Sequence, residues 1–283
     1  QSRCDRGLTH AAAGAVRFTV PAGVVAFNDA VYGDITVESD TIEDFVLLRS
    51  DGNPTYHLSV VVDDMDMRIS HVLRGQDHIS NTPKQILLYR AFGATIPVFA
   101  HVPLILGPDK TRLSKRHGAT SVISYQEQGI LPEAFINFLA LLGWAPGTDQ
   151  ELFDREDLIR SFSLGGISKA NAVFNNDKLA WFNAQYIARM PHEKLLVHLK
   201  PEFEGAGLWH DDFEKERYEW FRSLTDLLRP RSKVLPDFVR QSRMFIDPVV
   251  QRDPAAVEKF LNGPDIIGYM HQLADRLEQL PEW

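Results

Sequence analysis

The sequence contains very little cysteine and no long apolar run, and both absences narrow the class of protein. Cys4 is the only cysteine among 283 residues, so neither an internal disulfide nor a zinc site built from several thiolates can form. A reducing compartment, most simply the cytoplasm, is therefore expected. No stretch of about 20 apolar residues occurs, so the sequence predicts no membrane-spanning helix. Residues 1–20 mix apolar and charged side chains and show no secretory signal pattern.

Several common site motifs are missing as well. The sequence has no Walker loop, no G-x-G-x-x-G and no G-x-S-x-G, so the usual signatures of P-loop, dinucleotide-binding and serine-hydrolase sites are lacking. The formal net charge of −8 argues against binding nucleic acid over the whole surface. Any polyanion must then be bound by local clusters of cations, and the location of those cations carries more information than their number.

One such cluster lies in the loop between Gly107 and Gly118. It is opposed only by Asp109. Ammonium and guanidinium groups suit phosphate oxygens, so the loop predicts a ligand with several negative charges. The alternative is an ordinary solvated surface loop, which the flanking glycines and the interleaved Leu113 and Ser114 make less attractive. The cations of the loop are Lys110, Arg112, Lys115 and Arg116, with His117 beside them.

Arg74 is the second candidate. It ends a predicted strand, His71–Arg74, immediately before Gly75. An arginine at a strand end in the crevice of an open α/β sheet can hold a carboxylate bidentately, although a structural ion pair is the commoner role. Tyr56 is a weaker candidate, because a buried aromatic with a satisfied hydroxyl is its default. The acidic cluster at residues 63–66 favours a helix end over a Mg²⁺ site.

The second half of the chain has one basic cluster, Arg229-Pro230-Arg231-Ser232-Lys233. The proline is expected to break a helix there and leave the cations near its end. These cations suit an RNA backbone or base edge. They suit equally well a structural role, in which they complement the carbonyl groups at a helix C-terminus.

The hydrophobic pattern predicts an α/β region followed by an all-α region. Thr82 and Gln85 form a capping box for a helix that Gly93 ends, and a second helix spans residues 132–143. From about residue 178 the spacing is helical, with a domain boundary near Met190. Predicted strands lie at residues 15–20, 24–27, 45–49, 71–74 and 98–106, with a turn at residues 21–23 joining the first two.

Together these segments resemble glutamyl-tRNA synthetase of the bacterial type, a class I aminoacyl-tRNA synthetase. Lys110–Gly118 resembles the signature loop of that family, written K-L-S-K-R-H-G, with Arg112 in place of the usual first lysine. Val72–Pro83 resembles the family's strand and following helix. Further similar segments are Phe27–Asp29, Pro54–Leu58, Leu131–Ala134 and Leu179–Asn183.

The resemblance implies roles by position. Tyr56 and Arg74 match residues that hold the glutamate substrate, and Lys115 matches the catalytic lysine that stabilises the phosphates. Contacts to tRNA(Glu) are implied for Arg231, and with it Arg229 and Lys178. ATP, used with Mg²⁺, would be bound by Asp77, the backbone of Leu104 and Ile105, and the loop residues Arg112, Leu113, Ser114, Lys115 and Arg116.

The implied domain order is the end of an acceptor-binding insertion (1–50), the second half of a Rossmann-like catalytic domain (51–106), the signature loop with a stem-contact domain (107–189), and the first part of an α-helical anticodon-binding domain (190–283). The family's H-I-G-H motif does not occur, so an internal fragment that cannot activate glutamate alone is expected. Zinc is not expected, and a monomer is. A non-catalytic synthetase-like protein that binds tRNA or a partner is the first alternative, and a non-synthetase nucleotidyltransferase is the second.

Overall fold

The computed structural model describes residues 14–114, 121–247 and 253–279. The chain divides into two compact units, Gln1–Arg189 and Met190–Trp283. The first unit combines strands and helices, and the described part of the second is helical. The predicted order of an α/β region followed by an all-α region is therefore confirmed.

Strands are confined to the first unit in the part of the chain that is described. They are β1 (Val16–Phe18), β2 (Val24–Asp29), β3 (Gly33–Glu38), β4 (Phe45–Leu48), β5 (His71–Gly75), β6 (Val98–Val102), β7 (Ile105–Leu106) and β8 (Ala172–Val173). The helices of this unit are α1 (Tyr56–Asp66), α2 (Thr82–Phe92), α3 (Val122–Glu127), α4 (Pro132–Leu141), α5 (Arg155–Ser161) and α6 (Asn176–Arg189).

The main sheet has the strand order β3-β2-β6-β5. β2 and β3 form an antiparallel hairpin, whereas β6 is parallel to both β2 and β5. The parallel pair β5 and β6 is joined through α2, as parallel strands require a crossover. Apolar side chains of the strands and of α1 and α2 form one buried core, which includes Val25, Val61, Ile86, Leu88 and Phe99. This core supports β2, β6 and β5 side by side, with the carboxyl ends of β5 and β6 in register.

The first two strands, on either side of the predicted turn, do not pair with each other. β1 pairs with β4 rather than with β2, and Phe18 stacks on Phe45 with ring centroids 5.2 Å apart. β2 is instead paired with β3 along its whole length and joins β6 through the register of Asp29 with Phe99. The turn at residues 21–23 therefore connects two separate sheets. Short-range sequence signals could not show this, because the partner of β1 lies about 30 residues further along the chain.

The rest of the first unit packs around aromatic side chains. α4 and α6 lie against each other, and the rings of Phe138, Phe174 and Phe182 meet between them. Asn183 is buried in α6, where its Oδ1 accepts a hydrogen bond from the backbone of Leu131 at 2.8 Å and its Nδ2 donates to the Gly129 carbonyl at 3.1 Å. These two bonds fix the chain at the start of α4.

The second unit has a compact helical core. Phe203, Phe213 and Phe221 are fully buried, and the rings of Phe213 and Phe221 stack at 4.5 Å. No helix in the described ranges is long and apolar enough to cross a membrane. The helices are α7 (His192–Gly205), α8 (Tyr218–Leu228), α9 (Leu235–Ile246), α10 (Pro254–Leu261) and α11 (Ile266–Glu278).

Candidate functional site

Arg74 lies near the carboxyl end of β5 and is held by polar groups on two sides. Its Nε donates a hydrogen bond to Nε2 of His101 at 3.1 Å. Its Nη2 donates to Oγ1 of Thr82 at 2.7 Å and to Oε1 of Gln85 at 2.8 Å. The guanidinium also lies over the ring of Phe99, 5.4 Å from its centroid. Burial lowers the pKa of Arg74 and the neighbouring Tyr56 raises it, but a guanidinium remains charged at any ordinary pH.

His101 is in turn held by Asp29, and neither side chain is exposed to solvent. Nδ1 of His101 lies 2.5 Å from Oδ2 of Asp29. The other carboxylate oxygen, Oδ1, accepts hydrogen bonds from the backbone of Val31 at 3.0 Å and of Tyr32 at 2.9 Å. Burial alone would raise the pKa of Asp29, but these hydrogen bonds outweigh it and the pKa is lowered. The carboxylate therefore stays ionised and faces the imidazole.

The pKa of His101 is lowered from its ordinary 6.5, because burial outweighs the opposing effect of Asp29. The imidazole is therefore neutral near pH 7. Arginine can only donate, so Nε2 of His101 must be the acceptor and Nδ1 must carry the proton toward Asp29. Asp29 and His101 were not predicted as site residues. The available signals were a polar residue ending an apolar strand and a histidine inside another, and both also fit ordinary structural roles.

The predicted capping box of α2 is wrong. The helix begins after Asn81, with Thr82 as its first residue and Gly93, in the left-handed conformation, as its C-cap. No side chain caps its N-terminus. Thr82 and Gln85 are both buried, and their oxygens accept hydrogen bonds from Arg74. The arginine competes for the same atoms that a capping box would use and binds them more strongly, because its hydrogen bonds are charge-assisted.

Tyr56, the other residue predicted to bind glutamate, is the first residue of α1 and lies near Arg74. The residue is 49% exposed, so it is not the core aromatic that a default assignment would make it. Its hydroxyl lies 3.4 Å from Nδ1 of His78, and it is close enough to raise the pKa of Arg74. The structure thus brings Tyr56 and Arg74 together with one face open to solvent.

Asp77 and Arg112, both predicted to bind ATP, form an ion pair. Nη2 of Arg112 lies 3.0 Å from Oδ2 of Asp77, with 68% and 32% of the two side chains exposed. Gly75 leaves room for this carboxylate, since a Cβ at that position would lie 2.4 Å from Oδ1 of Asp77. The start of the basic loop is therefore tied to the turn that follows β5.

The basic loop begins with a tight turn back toward β7. The backbone of Gly107 donates to the Thr111 carbonyl at 2.8 Å, and Leu113 donates to the Ile105 carbonyl at 3.0 Å. Lys110 has a left-handed conformation, with φ of 61°. These bonds place Leu113 and the following Ser114 alongside β7. Lys115 and Arg116, the principal cations of the prediction, lie outside the described residues.

The backbone of Leu104, predicted to line the ATP pocket, is held by Asn171. Oδ1 of Asn171 accepts hydrogen bonds from the Leu104 backbone at 3.0 Å and from Nε2 of Gln76 at 2.9 Å. The Tyr32 hydroxyl also donates to Oε1 of Gln76. Leu104 and Ile105 thus lie beside the turn that carries Asp77.

The three cations predicted to bind tRNA differ in how far they are already engaged. Lys178 forms an ion pair with Glu151 at 2.8 Å on the surface. Arg229 is only 12% exposed, pairs with Asp226 at 2.9 Å and donates to the Met190 carbonyl at 2.5 Å. Arg231 is exposed. Their roles in binding tRNA stay predictions, and Arg231 is the best placed of the three.

Within residues 14–114, 121–247 and 253–279, no group of three or more His, Cys, Asp or Glu side chains could hold a metal ion. A resident metal centre therefore has no ligand set in this part of the chain. A divalent ion brought in by a nucleotide would be coordinated chiefly by the phosphates.

Comparison with known protein families shows to which family the chain belongs. Residues 4–181 match the family model described as tRNA synthetases class I (E and Q), catalytic domain. The chain belongs to this family of class I tRNA synthetases. Residues 193–283 of this synthetase chain match a second model, described as an anticodon binding domain.

Curated relatives of this synthetase chain carry the name glutamate–tRNA ligase. One, glutamate–tRNA ligase 2 of Koribacter versatilis, is 55% identical over 271 residues, which cover 95% of this chain and 56% of the relative. Another, from Thermodesulfovibrio yellowstonii, is 44% identical over 95% of this chain and 57% of its own length. The chain thus spans a little over half the length of these relatives.

Solved structures of glutamate–tRNA ligases are also similar to this chain. The crystal structure of a glutamate tRNA ligase from Elizabethkingia meningosepticum, in complex with its amino acid, superimposes with a TM-score of 0.82 at 32% identity, covering 94% of this chain and 56% of that one. A glutamate–tRNA synthetase from Elizabethkingia anophelis gives 0.75 at 33% identity, covering 87% of this chain and 52% of that one. The fold of this chain is therefore that of a class I synthetase.

Proposed function

We propose that the gene product carrying this chain is a glutamate–tRNA ligase, which activates L-glutamate with ATP and transfers it to the 3′ end of tRNA(Glu). The observation that carries the proposal is the partly buried Arg74 guanidinium near the carboxyl end of a parallel strand, in a chain 55% identical to a relative of that name. A fixed positive charge at this edge of an α/β sheet suits a carboxylate substrate.

The arrangement supports two clusters of residues, one that binds glutamate and one that binds ATP. Arg74 and Tyr56 hold the glutamate, while Asp77, the backbone near Leu104 and the basic loop hold ATP, which enters as its magnesium complex. A carboxylate oxygen of glutamate attacks the α-phosphorus of ATP, and the bond to pyrophosphate breaks. The 3′-terminal hydroxyl of tRNA then attacks the activated carbonyl carbon, and AMP leaves.

Neither step needs a side chain that forms a covalent bond to the substrate. Both depend on holding the reactants in line and on neutralising the charge that develops on the phosphates. Lys115 is assigned that neutralising role, together with its sequence neighbours Arg112, Leu113, Ser114 and Arg116. Replacing Lys115 by Ala is expected to slow activation about 100-fold or more, on the scale of losing one charge-stabilising group. Lys194→Ala, at an exposed position of α7, is the control.

The four predicted domains and the contact of Arg231 with tRNA belong to the same proposal, and so do a cytoplasmic location and a monomeric state. The test is charging of tRNA with radiolabelled glutamate by the full-length gene product, with glutamine as the control amino acid. Incorporation that depends on ATP and tRNA is the expected result. Tight tRNA binding without charging would replace the proposal with a non-catalytic tRNA-binding protein.

A further inference from the structure

Asp29, His101 and Arg74 form one row across three neighbouring strands. In the parallel register Arg74 lies opposite His101, and Asp29 lies opposite Phe99, two residues before His101. Side chains at every second position of a strand share a face, so the three polar groups point to the same side of the sheet. Their hydrogen bonds run in one direction, from Arg74 through His101 to Asp29.

We infer that Asp29 and His101 are positioning residues for the amino-acid substrate, which fix the orientation of the guanidinium that receives the substrate carboxylate. This inference rests on the proposed function, since it assigns glutamate as the ligand of Arg74. It extends the site by two residues that do not themselves touch the substrate.

The geometry supports a positioning role in two ways. His101, Thr82 and Gln85 accept from three of the five guanidinium N–H groups. The two N–H groups on Nη1 are then those that can bind a carboxylate. Fixing Nε and Nη2 also fixes the plane of the guanidinium, and with it the direction in which Nη1 donates.

Burial is the second argument. Asp29 and His101 both have fully buried side chains, and removing a carboxylate and an imidazole from water is costly unless they are fully paired. Apolar residues of similar size could fill the same space at no such cost. A row of three polar groups that ends on a partly exposed cation is better suited to fixing the orientation of that cation than to stabilising the sheet.

The order of donors gives a sharp test. Asp29→Asn keeps the shape of the side chain and the acceptor for the Val31 and Tyr32 backbone, but it presents an amide N–H to His101. Nδ1 must then accept, the proton moves to Nε2, and two N–H groups face each other between His101 and Arg74. The guanidinium of Arg74 should then lose its fixed orientation, while the fold of the protein remains intact.

The experiment measures the KM for glutamate and for ATP in the full-length gene product with Asp29→Asn and, separately, with His101→Gln. Each variant should raise the glutamate KM about 10- to 100-fold, the usual effect of removing a supporting group or of a misplacement of about 1 Å. The KM for ATP should stay within about twofold of the unaltered protein. Arg74→Lys is the reference for a direct change in the group that binds the substrate.

Failure of the proposed function and failure of the positioning role would give different results. If the unaltered protein charges no tRNA with glutamate, the proposed function is wrong. If it does, and Arg74→Lys weakens glutamate binding while both positioning variants keep the original glutamate KM, the positioning role is wrong. Equal increases in the KM for both substrates would also overturn it. Where a variant melts early, the dissociation constant for glutamate is measured below its melting temperature, so that only folded protein is compared.

Discussion

Nη2 of Arg112 lies 3.0 Å from Oδ2 of Asp77, and this ion pair connects the first residues of the basic loop to the turn after β5. Because most of the Arg112 side chain is exposed, the pair should stabilise the fold by only about 0.2–1 kcal/mol. We expect a double-mutant cycle of Arg112→Ala and Asp77→Asn in chemical unfolding to give a coupling free energy in that range. A coupling above about 2 kcal/mol would mean that the pair holds the fold together.

The same two variants should affect the proposed nucleotide site more than they affect stability. Each removes a group assigned to ATP, so the KM for ATP in the full-length gene product should rise several-fold. Arg112→Lys keeps the charge and is the matched control, expected to lie close to the unaltered protein. An ATP KM that is indifferent to all three changes would remove Asp77 and Arg112 from the site.

Arg229 and Arg231 should behave differently although only one residue separates them. Arg229→Ala removes a mostly buried guanidinium from Asp226 and from the Met190 carbonyl, and should lower the free energy of unfolding by about 1–3 kcal/mol. Arg231→Ala should leave stability unchanged but weaken tRNA binding and make it less salt-dependent, by about one unit of the salt slope for each phosphate that the protein no longer neutralises. Filter binding at several salt concentrations, beside chemical unfolding, measures both. The reverse pattern would exchange their roles.

We expect the second unit to lose stability in acid because it contains the buried His192. Its side chain is buried, its Nδ1 lies 3.2 Å from the Thr225 hydroxyl, and burial lowers its pKa below the ordinary 6.5. A histidine with a lowered pKa in the folded state takes up its proton more readily when unfolded. Its contribution is therefore complete above about pH 6.5 and is lost as the pH falls below that value toward the folded-state pKa.

Urea unfolding at about pH 7.5 and about pH 5.5, on either side of the ordinary histidine pKa, tests this prediction. The free energy of unfolding should fall between the two, and the fall should be smaller in His192→Gln, which cannot titrate there. His198→Gln on the same helix is the control and should retain the full effect. An identical pH dependence in all three proteins would contradict the assignment.

Asn183 should be essential to the packing of α6 against the start of α4. Asn183→Leu fits a similar volume but leaves the Leu131 amide and the Gly129 carbonyl without their side-chain partner in a buried place. Each orphaned group costs about 1–3 kcal/mol, so a loss of that order or more is expected in chemical unfolding. Ala188→Gln, at an exposed position of the same helix, should change the free energy of unfolding by less than about 0.5 kcal/mol.

Local patterns predicted most of the helices and the order of the two structural classes, because apolar periodicity directly reflects which face is buried. Helix α2, the most clearly predicted helix in the first half of the chain, shows the limit of such patterns. Thr82 and Gln85 have the spacing of a capping box, yet their oxygens bind Arg74, which lies in another element. A capping signal is local, whereas competition from a distant cation becomes visible only once the chain has folded.

The residues of the candidate site, too, were only partly predictable from the sequence. Arg74 and Tyr56 could be singled out from strand ends and from resemblance, and the structure brings them together. Asp29 and His101 could not, since a strand's partner is set by non-local packing and the pairing of β2 with β6 was not foreseen. The turn predicted between the first two strands does not say which strand β2 pairs with, so the row of three polar residues could not be predicted from the sequence alone.

The same row has a consequence for synthesis of the protein. Asp29 and His101 are 72 residues apart in the chain, so at about 5–20 residues per second the ribosome needs about 4–15 s to add the second partner after the first. Arg74 is added between the two, 27 residues before His101, and until His101 is added its Nε has no acceptor on β6. A nascent chain should therefore be unable to hold the amino acid until the third strand of the row has been made and has joined the sheet.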